Sequence, residues 1–236
     1  MHPVSGVPAA EVVGASDPAA RDVPVLRRGG RLRTAAALVW PTLRATRIPP
    51  LLIAGLVGAA IVTPPAATGS TLHPDNHITL LRLVMVCLGL GVAFTLDDPA
   101  KPTVETVPVP AWLGALTRAV TAAAVSGGCW AAALAVTRYG PETASLPYAD
   151  LTREAATVVA IAFLAAAVGW RHSPRGIGSP LAAPALLVVV TVVALLPTPV
   201  ELVVGVGDGW DAIHDRWTYL LAGTLFAILG VLTIRR

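Results

Sequence analysis

The chain has 236 residues, of which 55% are hydrophobic and only 13% charged, with a mean hydropathy of +0.70 and a net charge of +3. That balance excludes an ordinary soluble domain and gives no basic surface for nucleic acid. It is the composition of an integral membrane protein whose apolar mass is Ala, Val and Leu, small enough for close helix packing in lipid.

Residues 1–26 hold no basic cluster followed by an apolar core, so no signal peptide is expected there. They are rich in Pro, Ala and Val without periodicity and read as a disordered tail. From Arg27 the text becomes Arg-rich, with Leu32, Ala35, Leu38, Val39 and Leu43 at rough helical spacing between the arginines. This predicts an amphipathic helix lying on the membrane surface, or else a basic flank that only sets orientation.

Six apolar runs follow, at about 48–63, 78–96, 112–136, 152–170, 181–196 and 217–234. The expected fold is therefore all-α, a six-span transmembrane domain over residues 27–236. The first run opens at Pro49-Pro50, acceptable in a first helical turn, and is expected to stop at Pro64-Pro65. Ala54/Gly58 and Gly55/Ala59 are pairs of small residues at four-residue spacing, suited to a close helix contact. Residues 64–77 read as a polar turn. Arg82 lies inside the second run and must either reach the interface or pair with a carboxylate. Arg153 and Glu154 are expected at the water edge of the fourth run. Between the fifth and sixth runs, Trp210, Ile213 and Trp217 share one face, with Asp211, His214 and Asp215 on another. This predicts either a short amphipathic or re-entrant helix before the last span or an aromatic anchor at the interface.

The most unusual stretch is 97–111. Asp97 and Asp98 follow an apolar run, and Pro99, Pro102, Pro108 and Pro110 come within a dozen residues. Six spans put both termini on one side. That side carries Arg21, Arg27, Arg28, Arg31, Arg33, Arg44, Arg47, Lys101, Arg118, Arg171, Arg175, Arg235 and Arg236, while the other has Arg82, Arg138, Arg153 and Arg216. The positive-inside rule then places both termini and the 97–111 loop in the cytoplasm. Asp97, Asp98 and Glu105 are out of character on that side, which has two explanations: a helix-ending solvated turn, or a docking surface for another protein.

Catalytic signatures are lacking. HExxH, GxSxG and the GxxxxGK phosphate loop do not occur, and neither does a Cys/His metal pattern, so no enzyme activity, cofactor or metal is expected in this chain. His73 and His77 are four apart, but with Pro74 between them they read as a turn. Gly205-Val206-Gly207 reads as a flexible turn.

The layout, with an Arg-rich helix before six spans and the stretch LDDPAKPTVETVPVPAWL after the second, resembles the permease subunits of type-2 ABC exporters. It is also similar to permease-like proteins of actinobacterial ABC gene clusters. The resemblance implies a multi-pass protein of the cell membrane that works beside a second permease copy or paralogue. A separate ATPase subunit would bind ATP and dock on the 97–111 loop through Asp97, Asp98, Lys101 and Glu105. It further implies a gate or substrate contact on the outer side, for which Arg82, Asp208, Asp211 and Asp215 are the candidates. The loop is too rich in proline for a long coupling helix, leaving at most one turn around Thr103–Val107. The competing expectation is a non-transporting membrane scaffold or sensor that binds a cytoplasmic partner through the same loop. A membrane enzyme acting on lipid head groups is disfavoured by the scarcity of polar residues within the spans.

Overall fold

The computed structural model describes residues 46–69, 72–98, 111–138, 146–197, 200–205, 207 and 209–233, with side chains in the third stretch from 114 onward. The chain divides into two units, Met1–Ala36 and Ala37–Arg236, and every described residue belongs to the second. The expected tail over 1–26, the expected surface helix from Arg27, and Lys101, Glu105 and Asp208 lie outside the described residues.

The described residues form helices joined by turns, with no strand among them. The helices are α1 (Pro49–Thr68), α2 (Pro74–Ala93), α3 (Ala111–Arg138), α4 (Tyr148–His172), α5 (Ser179–Ala194) and α6 (Trp210–Thr233). Five of them are long and apolar enough to cross a membrane; α5, with 16 residues, is apolar but shorter. The chain is thus an all-helical, multi-pass membrane protein.

The turns are set by identifiable residues. Pro49 and Pro50 stand in the first turn of α1 as expected, but Pro64-Pro65 does not end the helix. α1 continues to Thr68, whose hydroxyl donates to the Pro64 carbonyl, and stops at Gly69, left-handed at φ 61°. At 20 residues α1 is about 30 Å long, enough for a full span. Residues 74–77, expected in a turn, are helical because Pro74 takes the first helical position, where its missing N–H costs nothing, and the His73 side chain caps the Asp75 amide. Among the described residues no separate helix precedes the last span: Trp210 to Thr233 is one continuous α6.

α2 and α4 form the centre, each with 56% of its most apolar stretch buried, against 17%, 22% and 6% for α1, α3 and α6. Ala54 and Leu51 of α1 pack on Gly91 so closely that a Cβ there would lie 2.8 Å from each, while Gly58 faces Val84 and Gly55 faces Cys129 of α3. The small residues of α1 therefore admit α2 and α3 at short range. Leu56, Val120, Leu195 and Phe226, 61–78% exposed, turn outward where lipid would cover them.

These contacts run the helices alternately up and down. One end, here end A, collects the start of α1, the α2–α3 elbow, the α4–α5 turn and the last turn of α6, where Arg171 Nη1 donates to the Val231 carbonyl at 2.6 Å. End B collects the starts of α2, α4 and α6.

Candidate functional site

Each end of the bundle is built on one buried carboxylate. At end A it is Asp97, 1% exposed. Its Oδ1 accepts from the backbone N–H groups of Gly178 at 2.8 Å and Ser179 at 3.0 Å, and its Oδ2 accepts from the Ser179 hydroxyl at 2.6 Å. α5 has no side-chain cap from its own residues at Gly178, so Asp97 supplies it from 81 residues away. A carboxylate at a helix start satisfies orphan N–H groups and meets the positive end of the helix dipole. Gly178 is required there: a Cβ would come 2.5 Å from the Ala166 carbonyl, and one on Gly169 would come 2.7 Å from the Gly178 carbonyl. The turn itself is shaped by Gly176, left-handed at φ 68°, and by the Ser173 hydroxyl accepting from the Ile177 N–H at 3.2 Å.

Asp98 extends this junction. Its N–H donates to the Gly176 carbonyl at 2.8 Å, and its Oδ2 accepts from Arg118 Nη2 of α3 at 2.6 Å. The elbow is thereby tied to α3 and to the α4–α5 turn. The sequence leaves Asp97 and Asp98 two roles, a helix-ending solvated turn or a docking surface for another protein. Instead, Asp97 is consumed by the start of α5, and Asp98, with its side chain 19% exposed, is paired with a buried arginine. The reason is local: a helix start without its own cap and a buried guanidinium both lie within reach of the two acids, and each needs a counter-charge.

At end B the carboxylate is Glu154, also 1% exposed rather than at a water edge. α4 begins at Tyr148, which carries Glu154 nearly two turns into the bundle. Arg82 Nε donates to Glu154 Oε2 and Arg82 Nη2 to Oε1, both at 2.9 Å, a bidentate fork across α2 and α4. Arg82 Nη1 donates to the Val204 carbonyl at 2.9 Å. His214 of α6 completes the cluster: its Nε2 lies 2.9 Å from Glu154 Oε1 and its Nδ1 lies 2.8 Å from the Trp210 carbonyl. The Trp210 ring stacks on the imidazole with centroids 4.1 Å apart, and its Nε1 donates to Asp150 Oδ2 at 2.8 Å. Asp150 in turn accepts from Arg153 Nη1 at 3.2 Å.

Of the two predicted fates for Arg82, the structure has the pairing with a carboxylate. Asp211 and Asp215 lie on the exposed side of α6 and do not join the cluster. His214, expected on a face with those two acids, sits instead with Trp210, Ile213 and Trp217, all buried. Glu154 and His214 are thus the residues that sequence reasoning missed. The signal for His214 was present, since 210, 213, 214 and 217 follow the i, i+3, i+4, i+7 pattern of one helical face.

Between the two ends the interior of the described residues is packed with apolar side chains. Leu88, Ala162, Phe163, Ala166 and Leu186 fill it, all 0–6% exposed. The arrangement fastens helices together and holds charges away from lipid. Among the described residues no group of His, Cys, Asp and Glu could hold a metal ion. Comparisons with known protein families, curated proteins and solved structures find no match to this chain.

Proposed function

We propose that this chain is the membrane-spanning permease subunit of an ATP-driven ABC export system of the cell membrane. End A faces the cytoplasm, and a separate ATPase subunit docks there. The observation that carries the reading is the α2–α3 elbow. Asp97 and Asp98 clamp its root to the start of α5, to the α4–α5 turn and to α3. A force applied to residues 99–110 would pass through that root into helices α3 and α5 instead of being lost in a slack connector. The docking contacts themselves come from beyond the clamp, with Lys101 and Glu105 as the charged candidates.

Among the described residues, Phe163 and Leu186 help fill the interior between the two ends with apolar side chains. The transported molecule would therefore move along the boundary between this chain and a second permease copy or paralogue. The same apolar interior favours one rival, a non-transporting scaffold or sensor that binds a partner at end A. The two readings differ in one measurement. With the complex reconstituted in lipid, a permease makes ATP hydrolysis by its partner respond to a transported compound and drives its accumulation in vesicles. A scaffold leaves hydrolysis and vesicle contents unchanged across the compounds tried.

A further inference from the structure

The polypeptide entering α6 crosses end B without regular secondary structure over residues 201–205. Among the described residues, three of its carbonyls are taken by side chains of the helices. Arg216 Nη1 donates to the Glu201 carbonyl at 3.1 Å, Trp217 Nε1 to the Leu202 carbonyl at 2.9 Å, and Arg82 Nη1 to the Val204 carbonyl at 2.9 Å. Leu202 is pressed into the core at 9% exposure, while its neighbour Val203 is 37% exposed. Arg82 joins this segment to Glu154 and through it to His214, each of those two 1% exposed.

From this geometry we infer that residues 200–205 are a releasable strap, latched by Arg82 and Trp217, that shuts the Arg82–Glu154–His214 cluster off from end B. A segment held by side-chain donors opens by rotamer changes, whereas one woven into a helix or sheet must break a cooperative backbone ladder. Gly205 seats the segment directly against the Asp75 side chain, where a Cβ would come 2.7 Å from Oδ1, and Gly209 adopts φ 88°, a conformation open to glycine without strain. Arg82 belongs to both parts, with two nitrogens on Glu154 and one on the strap. Lifting the strap frees that third donor and opens a carboxylate and an imidazole to water. The inference is independent of any ATPase partner.

Thiol labelling of the full-length chain in lipid nanodiscs tests it, with Cys87 and Cys129 replaced by Ala. Leu202→Cys reports the underside of the strap and Val203→Cys its outer face, each read with a membrane-impermeant maleimide. Leu202→Cys should react about tenfold more slowly than Val203→Cys. Arg82→Lys keeps the charge but loses the fork, and should raise the Leu202→Cys rate by about tenfold while leaving Val203→Cys unchanged. Trp217→Phe keeps the ring but removes the indole donor, and should act in the same direction should Arg82→Lys fail to fold. Equal rates at the two positions with the latch intact would overturn the inference, as would a Leu202→Cys rate that neither latch substitution changes.

Discussion

Asp97 and Glu154 are equally buried, yet they fasten the two ends of the bundle differently. Asp97 meets neutral donors: two backbone N–H groups and a hydroxyl, all at the start of one helix. Two of the three are fixed by the backbone, so end A is the stiffer joint. Glu154 meets the tips of long side chains, a guanidinium from α2 and an imidazole from α6. Those partners can swing away through χ rotations, and one of them also holds the strap. End B is therefore the adjustable end.

The comparison can be broken most sharply at Glu154. Glu154→Ala strands Arg82 and His214 in a buried site, and an uncompensated buried charge costs about 3–5 kcal/mol. The expected result is a large drop in melting temperature in detergent, or loss of the folded protein. Glu154→Gln should be milder, because an amide still accepts one hydrogen bond from the guanidinium.

At end A the expected loss is smaller because no charge is stranded. Asp97→Ala should cost about 2–3 kcal/mol, the loss of a helix cap plus unsatisfied N–H groups. Hydrogen exchange should rise first at the amides of Gly178 and Ser179, with α2 and α4 unchanged. Asp97→Asn retains one acceptor oxygen and should recover part of that protection. Gly178→Ala approaches the same joint from the steric side. The new methyl would press on the Ala166 carbonyl and separate α4 from α5, at a cost of about 1–3 kcal/mol by the same melting assay.

The smallest effects are expected at Asp211 and Asp215, which lie on the exposed side of α6. Replacing either with Ala should move stability by no more than about 0.5 kcal/mol. A large effect there would mean that end B has polar contacts beyond the Glu154 cluster.

The six helices were legible in the sequence because long apolar runs have few other solutions in lipid. Their ends were less so. Pro64-Pro65 looked like a stop, but these prolines only leave the Ala60 and Ile61 carbonyls without their helix donors, and the left-handed Gly69 is what ends α1. The fourth apolar run begins at about Thr152 in the sequence. The real start at Tyr148 turns Glu154 from an edge residue into an interior one. Asp97 was visible as an anomaly, yet its partners are 81 and 82 residues downstream, a pairing that hydropathy does not encode. A hint was available in Gly-Ile-Gly-Ser-Pro at 176–180: a helix start whose own cap position is glycine invites a carboxylate from elsewhere. The His214 pairing depends on which turn of α6 meets α4, which becomes fixed only when the helices pack.

The proposed function turns on what residues 99–110 hold. The most direct measurement is affinity purification of the tagged full-length chain from its native membrane, comparing the unaltered protein with a Lys101→Ala/Glu105→Ala variant. The account predicts that an ATPase with a phosphate-binding loop accompanies the unaltered chain and is lost from the variant, whose melting temperature stays unchanged. Purification with no such ATPase, or its equal retention by the variant, would contradict docking on this loop.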